Sequence, residues 1–297
     1  MAGLRAGSAL ICAMQDELEI RLLTENDISA GMRLSELAGW NQTENDWRRL
    51  LKHDPLGCFV ACLNNRVVGT TTSTAYGTDL AWIGMVLVDL DCRHRGIATQ
   101  LMQGTLDNLR ARGVKTIKLD ATPSGQPVYA ALGFVDETRI ERWAGTARPI
   151  GKTDCQVWTQ QARAKVPALD RRAFGAERLA LLGSLVADSS VPPLTISASD
   201  GELRGYALAR RGTVACYIGP IVATDRNAAA SLLDGMLDQL DDRDVFVDIH
   251  PGFEVGAQIV AARGFVRQRD FIRMRIGLES NAGTSALIFA IAGPEVG

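Results

Sequence analysis

The 297-residue sequence predicts an α/β protein of two tandem units, each a mixed, mostly antiparallel sheet flanked by helices. Three observations lead there. The chain is longer than one typical domain of about 100–150 residues. Its apolar residues alternate between strand and helix spacing in the order hairpin, strand, helix, strand, helix, strand. That order then occurs a second time, with a repeat of about 135 residues, too long for a solenoid and suited to two domains.

The first copy begins at Leu18 with "LEIRL", a short strand, followed by a helix start with Thr24 and Asp27 as cap candidates. "DWRRLLKH" continues a helical region. "GCFVACL" and "VVGTTTSTAY" flank the turn "NNR" as a hairpin. "LAWIGMVLVDL" is a strongly apolar strand, and Ile97, Leu101, Leu106 and Leu109 mark one face of the helix after it. "VKTIKLDA", "PVYAAL" and "GFVDETRIERW" read as strand, short helix and strand. The second copy opens with "DRRAFGAERLALLGSLVAD", read as one helix, then a hairpin across "DGE". "TVACYIGPIVA" matches the apolar strand, Asp248 matches Asp120, and "RGF" at 263–265 matches "LGF" at 132–134. The units span 16–150 and 166–297, joined by a linker around "RPIGKTDCQVWTQQARAKVP".

A formal net charge of −2 argues against a general nucleic-acid binder. No apolar run reaches the roughly 18 residues of a membrane span, and the opening "MAGLRAGSALICAM" reads as a floppy leader, not a signal peptide. Six scattered cysteines and three histidines form no zinc pattern, so no metal is expected. They predict reduced, mostly buried thiols in a soluble cytoplasmic protein.

The stretch "DCRHRGIATQLM" carries the chemistry. A helix start presents unpaired N–H groups and the positive end of its dipole, which suits a diphosphate. Gly96 permits close approach of an anion, Ala98 keeps the next turn open, and Arg93, His94 and Arg95 add positive charge. The turn is neither a P-loop nor a dinucleotide fingerprint. "VDLDCRHRGIATQLM" resembles the acetyl-coenzyme A motif of the GCN5-related N-acetyltransferases (GNAT superfamily), Val-x-x-x-x-Arg/Gln-x-x-Gly-x-Gly/Ala. "VYAALGF" resembles the same superfamily's Tyr-x-x-x-Gly-Phe. The likeness runs from Leu18 to the last residue, is strongest over 83–143, and extends to tandem members with a degenerate second domain. Leu90 and Ala98 stand where many members have proline and glycine.

The resemblance implies acetyl-CoA as co-substrate. The amides of Arg93, His94, Arg95, Gly96, Ile97, Ala98 and Thr99 would cradle its pyrophosphate. The backbone of Val86, Leu87 and Val88 would pair with its pantetheine arm beside a splayed neighbour strand. Tyr129 is the candidate acid for the departing thiolate, since a phenol stays protonated at neutral pH; core packing is its competing reading. Trp40, Asn41 and Trp47 are expected to line the acceptor pocket. No general base stands out: Glu44, Asp46 and His53 lie in the right region, but a solvated face is the simpler reading of each. The second unit has Asp225 where phosphate would sit and Val260 where Tyr129 should be, so it is not expected to run this reaction. Tyr206, Tyr217 and His250 are its polar candidates, core packing being the better reading of the tyrosines. The expected function is transfer of an acetyl group from acetyl-CoA to a primary amine, of a small molecule, by direct attack in a ternary complex. The alternatives are a protein or peptide acceptor, or a non-enzymatic acyl-CoA-binding sensor.

Overall fold

A computed structural model describes residues 17–151, 153–278 and 283–297; the leader reading falls outside them. The first copy comprises β1 (Leu18–Leu22), α1 (Ile28–Leu37), α2 (Glu44–His53), β2 (Phe59–Leu63), β3 (Arg66–Tyr76), β4 (Leu80–Val88), α3 (Ile97–Ala111), β5 (Thr116–Ala121), α4 (Gln126–Ala131) and β6 (Val135–Thr146). The second comprises β7 (Gln156–Val157), α5 (Gln160–Phe174), α6 (Leu179–Ala187), β8 (Leu194–Ser197), β9 (Leu203–Arg210), β10 (Cys216–Ala223), α7 (Arg226–Leu240), β11 (Asp244–Ile249), α8 (Gly256–Ala261), β12 (Val266–Gly277) and β13 (Ile288–Ala290).

Alternation along the strands sets the layers. Val60 and Val67 join a buried cluster with Leu34, Trp47 and Leu50 of α1 and α2, whereas Ala61 and Val68 pack with Ile97 and Leu101 of α3. The helices therefore cover both faces. Asn64 and Asn65 supply the positive φ of the β2–β3 turn, 50° and 64°. One helix expected from Asp170 onward is instead two. α5 starts earlier, inside the expected linker, and stops where Gly175 takes φ +91°; α6 follows.

All described strands form one sheet, ordered β1-β2-β3-β4-β5-β12-β6-β11-β13-β10-β9-β8-β7. β12, from the second copy, lies between β5 and β6 of the first, and β6 in turn pairs with β11 of the second. The copies thus exchange their last long strands. The core is equally shared: the cluster around Trp47 and Leu50 includes Leu181, Tyr206 and Leu208.

Candidate active site

β4 and β5 run parallel only from Leu80–Thr116 to Trp82–Lys118 and then separate. The far edge of β4 is irregular at the same point. Its register against β3 slips between Thr70 and Thr72, Met85 takes φ 52°, and Thr70 Oγ1 donates to the Met85 carbonyl at 2.8 Å. A non-glycine residue at positive φ is strained, and here it marks the mouth of the cleft.

The cleft opens into a cavity of about 980 Å³. Residues 86–88, Arg93, His94 and residues 96–99 line it; Arg95 does not. α3 begins at Ile97, with Gly96 as its N-cap at φ +74°, and a Cβ on Gly96 would meet nothing within 4 Å. The turn therefore faces open space with its first amides unpaired in the helix, which fits a diphosphate. Arg93 Nε donates to the Val88 carbonyl at 3.2 Å, tying the turn to the end of β4.

Tyr129 also lines the cavity. α4 holds it in place: a Cβ on Gly125 would lie 2.9 Å from the Tyr129 ring, and Phe134 packs edge-on at 6.2 Å. Burial pushes the phenol's pKa up. No hydrogen bond to its hydroxyl is formed among the described residues.

The acceptor end is built differently from expectation. Trp40 lines the cavity, but Trp47 is fully buried beneath Gly31, at 3.0 Å from where a Cβ would stand. Asn41 Nδ2 donates to the Ala215 carbonyl at 3.0 Å, and its Oδ1 accepts from the Val214 and Ala215 amides at 2.9 Å each. It clamps the two units together outside the cavity. The candidate bases lie elsewhere too. Glu44 pairs with exposed Arg48, and His53 Nε2 meets Ser184 Oγ at 3.0 Å. Asp46, far from solvated, is buried between Arg49 and Arg210.

In their place stand residues from the end of the chain. Glu295, 3% exposed, lines the cavity; its Oε1 accepts from Arg210 at 2.9 Å and its Oε2 from Gln42 Nε2 at 3.0 Å. The tail can pass there because Gly84 has no side chain: a Cβ would be 2.7 Å from the Glu295 Cα. Trp82 Nε1 donates to the Pro294 carbonyl and Tyr76 Oη to the Val296 carbonyl, at 3.0 and 2.6 Å. Arg142, Arg269 and Phe271 of β6 and β12 complete this wall. Gly84 within "WIGMV" was the local signal for a close approach, but nothing near it names the partner.

The second unit opens the same way and is then filled. β10 and β11 pair over Cys216–Val245 to Ile218–Val247, and β13 occupies the gap beyond, bonded to both. Asp225 caps α7, accepting from the Asn227 and Ala228 amides at 3.0 and 3.1 Å. Those amides are the ones a phosphate would need. Tyr206 and Tyr217 are buried and bonded to Asp170 and Asp248. Cys58, Cys62, Cys92 and Cys216 are buried free thiols. Among the described residues no cluster of His, Cys, Asp or Glu is placed to hold a metal ion, and no helix is long and apolar enough to cross a membrane.

Among the described residues, a splayed strand pair, a glycine-capped helix start and a buried tyrosine meet in one cavity, an arrangement that suits an acyltransferase. Comparison with known proteins agrees. The profile of the acetyltransferase (GNAT) family matches residues 23–134, and that of an acetyltransferase (GNAT) domain matches residues 166–290. Acetyltransferase ECA0875 of Pectobacterium atrosepticum is 35% identical over 128 residues, 42% of this chain and 88% of the relative. The uncharacterized N-acetyltransferase YitH of Bacillus subtilis is 25% identical over 234 residues, 72% of this chain and 76% of the relative. A crystal structure from Pyrococcus horikoshii, of a provisionally assigned acetyltransferase, superposes with a TM-score of 0.82 at 24% identity, covering 99% of each chain. The chain belongs to the GNAT family of acetyltransferases, as a tandem member. Its family uses acetyl-CoA as co-substrate.

Proposed function

We propose that the first unit transfers an acetyl group from acetyl-CoA to the primary amine of a small molecule, by direct attack while both are bound. The observation that carries this reading is the single cavity joining the α3 start, the β4–β5 cleft and Tyr129 to a far wall made by β12 and the tail. With residues of β12 and the tail standing along the acceptor end, a small acceptor is favoured over a folded protein.

Acetyl-CoA, when bound, supplies the activated acyl group. The amides at the start of α3 hold its diphosphate, and residues 86–88 hold the pantetheine arm as an added strand edge. Backbone N–H groups around the Met85 bulge polarise the carbonyl. The Tyr129 hydroxyl, kept protonated by burial, gives its proton to the departing sulfur. Glu295 offers its carboxylate to the incoming amine.

The test is release of CoA thiol from acetyl-CoA across a panel of amines and peptides, with Tyr129→Phe in parallel. The reading expects turnover on small amines, falling about 10²–10⁴-fold in the variant at unchanged acetyl-CoA affinity. Turnover confined to peptides would replace the acceptor class. Tight acetyl-CoA binding without turnover would favour the sensor.

A further inference from the structure

Two buried polar atoms in the cavity wall have no partner. Among the described residues, the buried side-chain nitrogens and oxygens left without a hydrogen bond include Gln42 Oε1 and Arg269 Nε. Of that set, only these two belong to residues lining the cavity. One is an acceptor and the other a charged donor. Buried polar groups without partners are costly, and a polar ligand in the cavity these two residues line would satisfy both.

Their surroundings set its charge. Arg269 makes no ion pair among the described residues and stacks on Phe271, its guanidinium 5.0 Å from the ring centre. Its cross-strand partner Arg142 is already neutralised by Asp248, with both contacts at 2.7 Å. One cation without a direct ion-pair partner therefore remains at this end, which suits a monoanionic carboxylate better than a dianionic phosphate; a guanidinium fork matches carboxylate geometry. The register places it well. Ile272 of β12 faces Ala121, the last residue of β5, so Arg269 lies beyond the end of β5, beside the loop leading to Tyr129. Opposite in polarity, Gln42 Oε1 stands next to Glu295, whose carboxylate is already paired with Arg210 at 2.9 Å and bonded to Gln42 Nε2 at 3.0 Å, leaving acceptor lone pairs for an uncharged amine. That corner suits an amine.

We infer that the acceptor is a small amine bearing a carboxylate, of amino-acid type, with Arg269 holding the carboxylate and Gln42 and Glu295 receiving the amine. Arg269 comes from β12, so the second unit sets the first unit's specificity. The inference rests on the transferase reading above and deepens it.

The experiment measures kcat/KM for L-amino acids and their carboxamides at fixed acetyl-CoA, in the wild type, Arg269→Gln and Arg267→Gln. Arg267 is a β12 neighbour paired with Glu141 and Asp270 and does not line the cavity. Acids are expected to exceed carboxamides by about ten- to hundredfold, the range of a hydrogen bond to a charged group. Arg269→Gln should erase that preference through the KM of the acids, while Arg267→Gln retains it. Equal use of carboxamides, or a preference surviving Arg269→Gln, overturns the inference. If Arg269→Gln no longer binds acetyl-CoA and is therefore misfolded, Arg269→Lys replaces it, with a weaker preference expected and an unchanged one overturning the inference. Absence of turnover on every amine sinks the transferase reading alone. Calorimetric binding of the same acids and carboxamides to the acetyl-CoA-bound protein then decides the inference by the same preference.

Discussion

Arg142 of the first copy lies directly opposite Asp248 of the second, and its Nε and Nη2 each donate to a carboxylate oxygen at 2.7 Å. The relation is reciprocal. Arg273, matching Arg142 in the second copy, lies opposite Asp120 of the first and donates at 2.8 and 2.9 Å. Both arginines stand eight residues past their Gly-Phe pairs, 134 to 142 and 265 to 273. Both aspartates are fully buried along their side chains. The strand exchange is thus pinned by two equivalent ion pairs.

Removing one partner strands a buried charge. Arg142→Met should destabilise the protein by about 3–5 kcal/mol, read from the urea midpoint. A loss below about 1 kcal/mol would show that the pair does not secure the exchange.

Asn41→Ala separates a clamp from a substrate contact. It leaves the Val214 and Ala215 amides and the Ala215 carbonyl without their partners, so a loss of about 1–3 kcal/mol is expected in denaturant unfolding. The KM for the amine should hold. A raised KM at unchanged stability would return Asn41 to the acceptor pocket.

What was legible in the sequence follows the reach of the contacts. The β4–turn–α3 segment and the Tyr129 helix are local, so spacing and glycine placement announced them. Asn41, Asp46, Gln42 and Glu295 owe their surroundings to partners far away in the chain, across 174, 164 and 253 residues for the bonds they make. Nothing in "AGWNQTENDW" distinguishes a clamp from a pocket wall. The strand exchange was equally hidden, because β6 and β12 carry the same pattern whichever copy they join. β13 is three residues long, too short to show a period.

Phe289→Ala tests the plug in the second unit. The ring is fully buried and packs edge-on against Phe253 at 5.4 Å. Its loss should cost about 3–5 kcal/mol in chemical denaturation. A near-neutral substitution would mean that β13 rests in the gap without filling it.

His250 ties stability to pH. Burial first, then Arg273 and Lys118, lower its pKa to about 3. The unfolded chain takes up this proton near the ordinary value of about 6.5, so between those values the unfolded state binds more protons. The histidine's contribution is complete above the unfolded value and is lost as pH falls toward 3. His250 Nδ1 accepts from the Gly252 amide at 3.0 Å, a bond that Asn can keep. His250→Asn should therefore flatten the stability profile in that window by about 1.4 kcal/mol per pH unit. An unchanged slope between pH 4.5 and 6 would show the imidazole titrating normally.

Calorimetric titration with acetyl-CoA tests whether a chain of two similar units holds one working cleft. One working cleft predicts one site per chain. Gly96→Glu should abolish it, since the substitution puts a side chain at φ +74° and a carboxylate into the anion cradle. Two sites per chain, or one that survives Gly96→Glu, would contradict it.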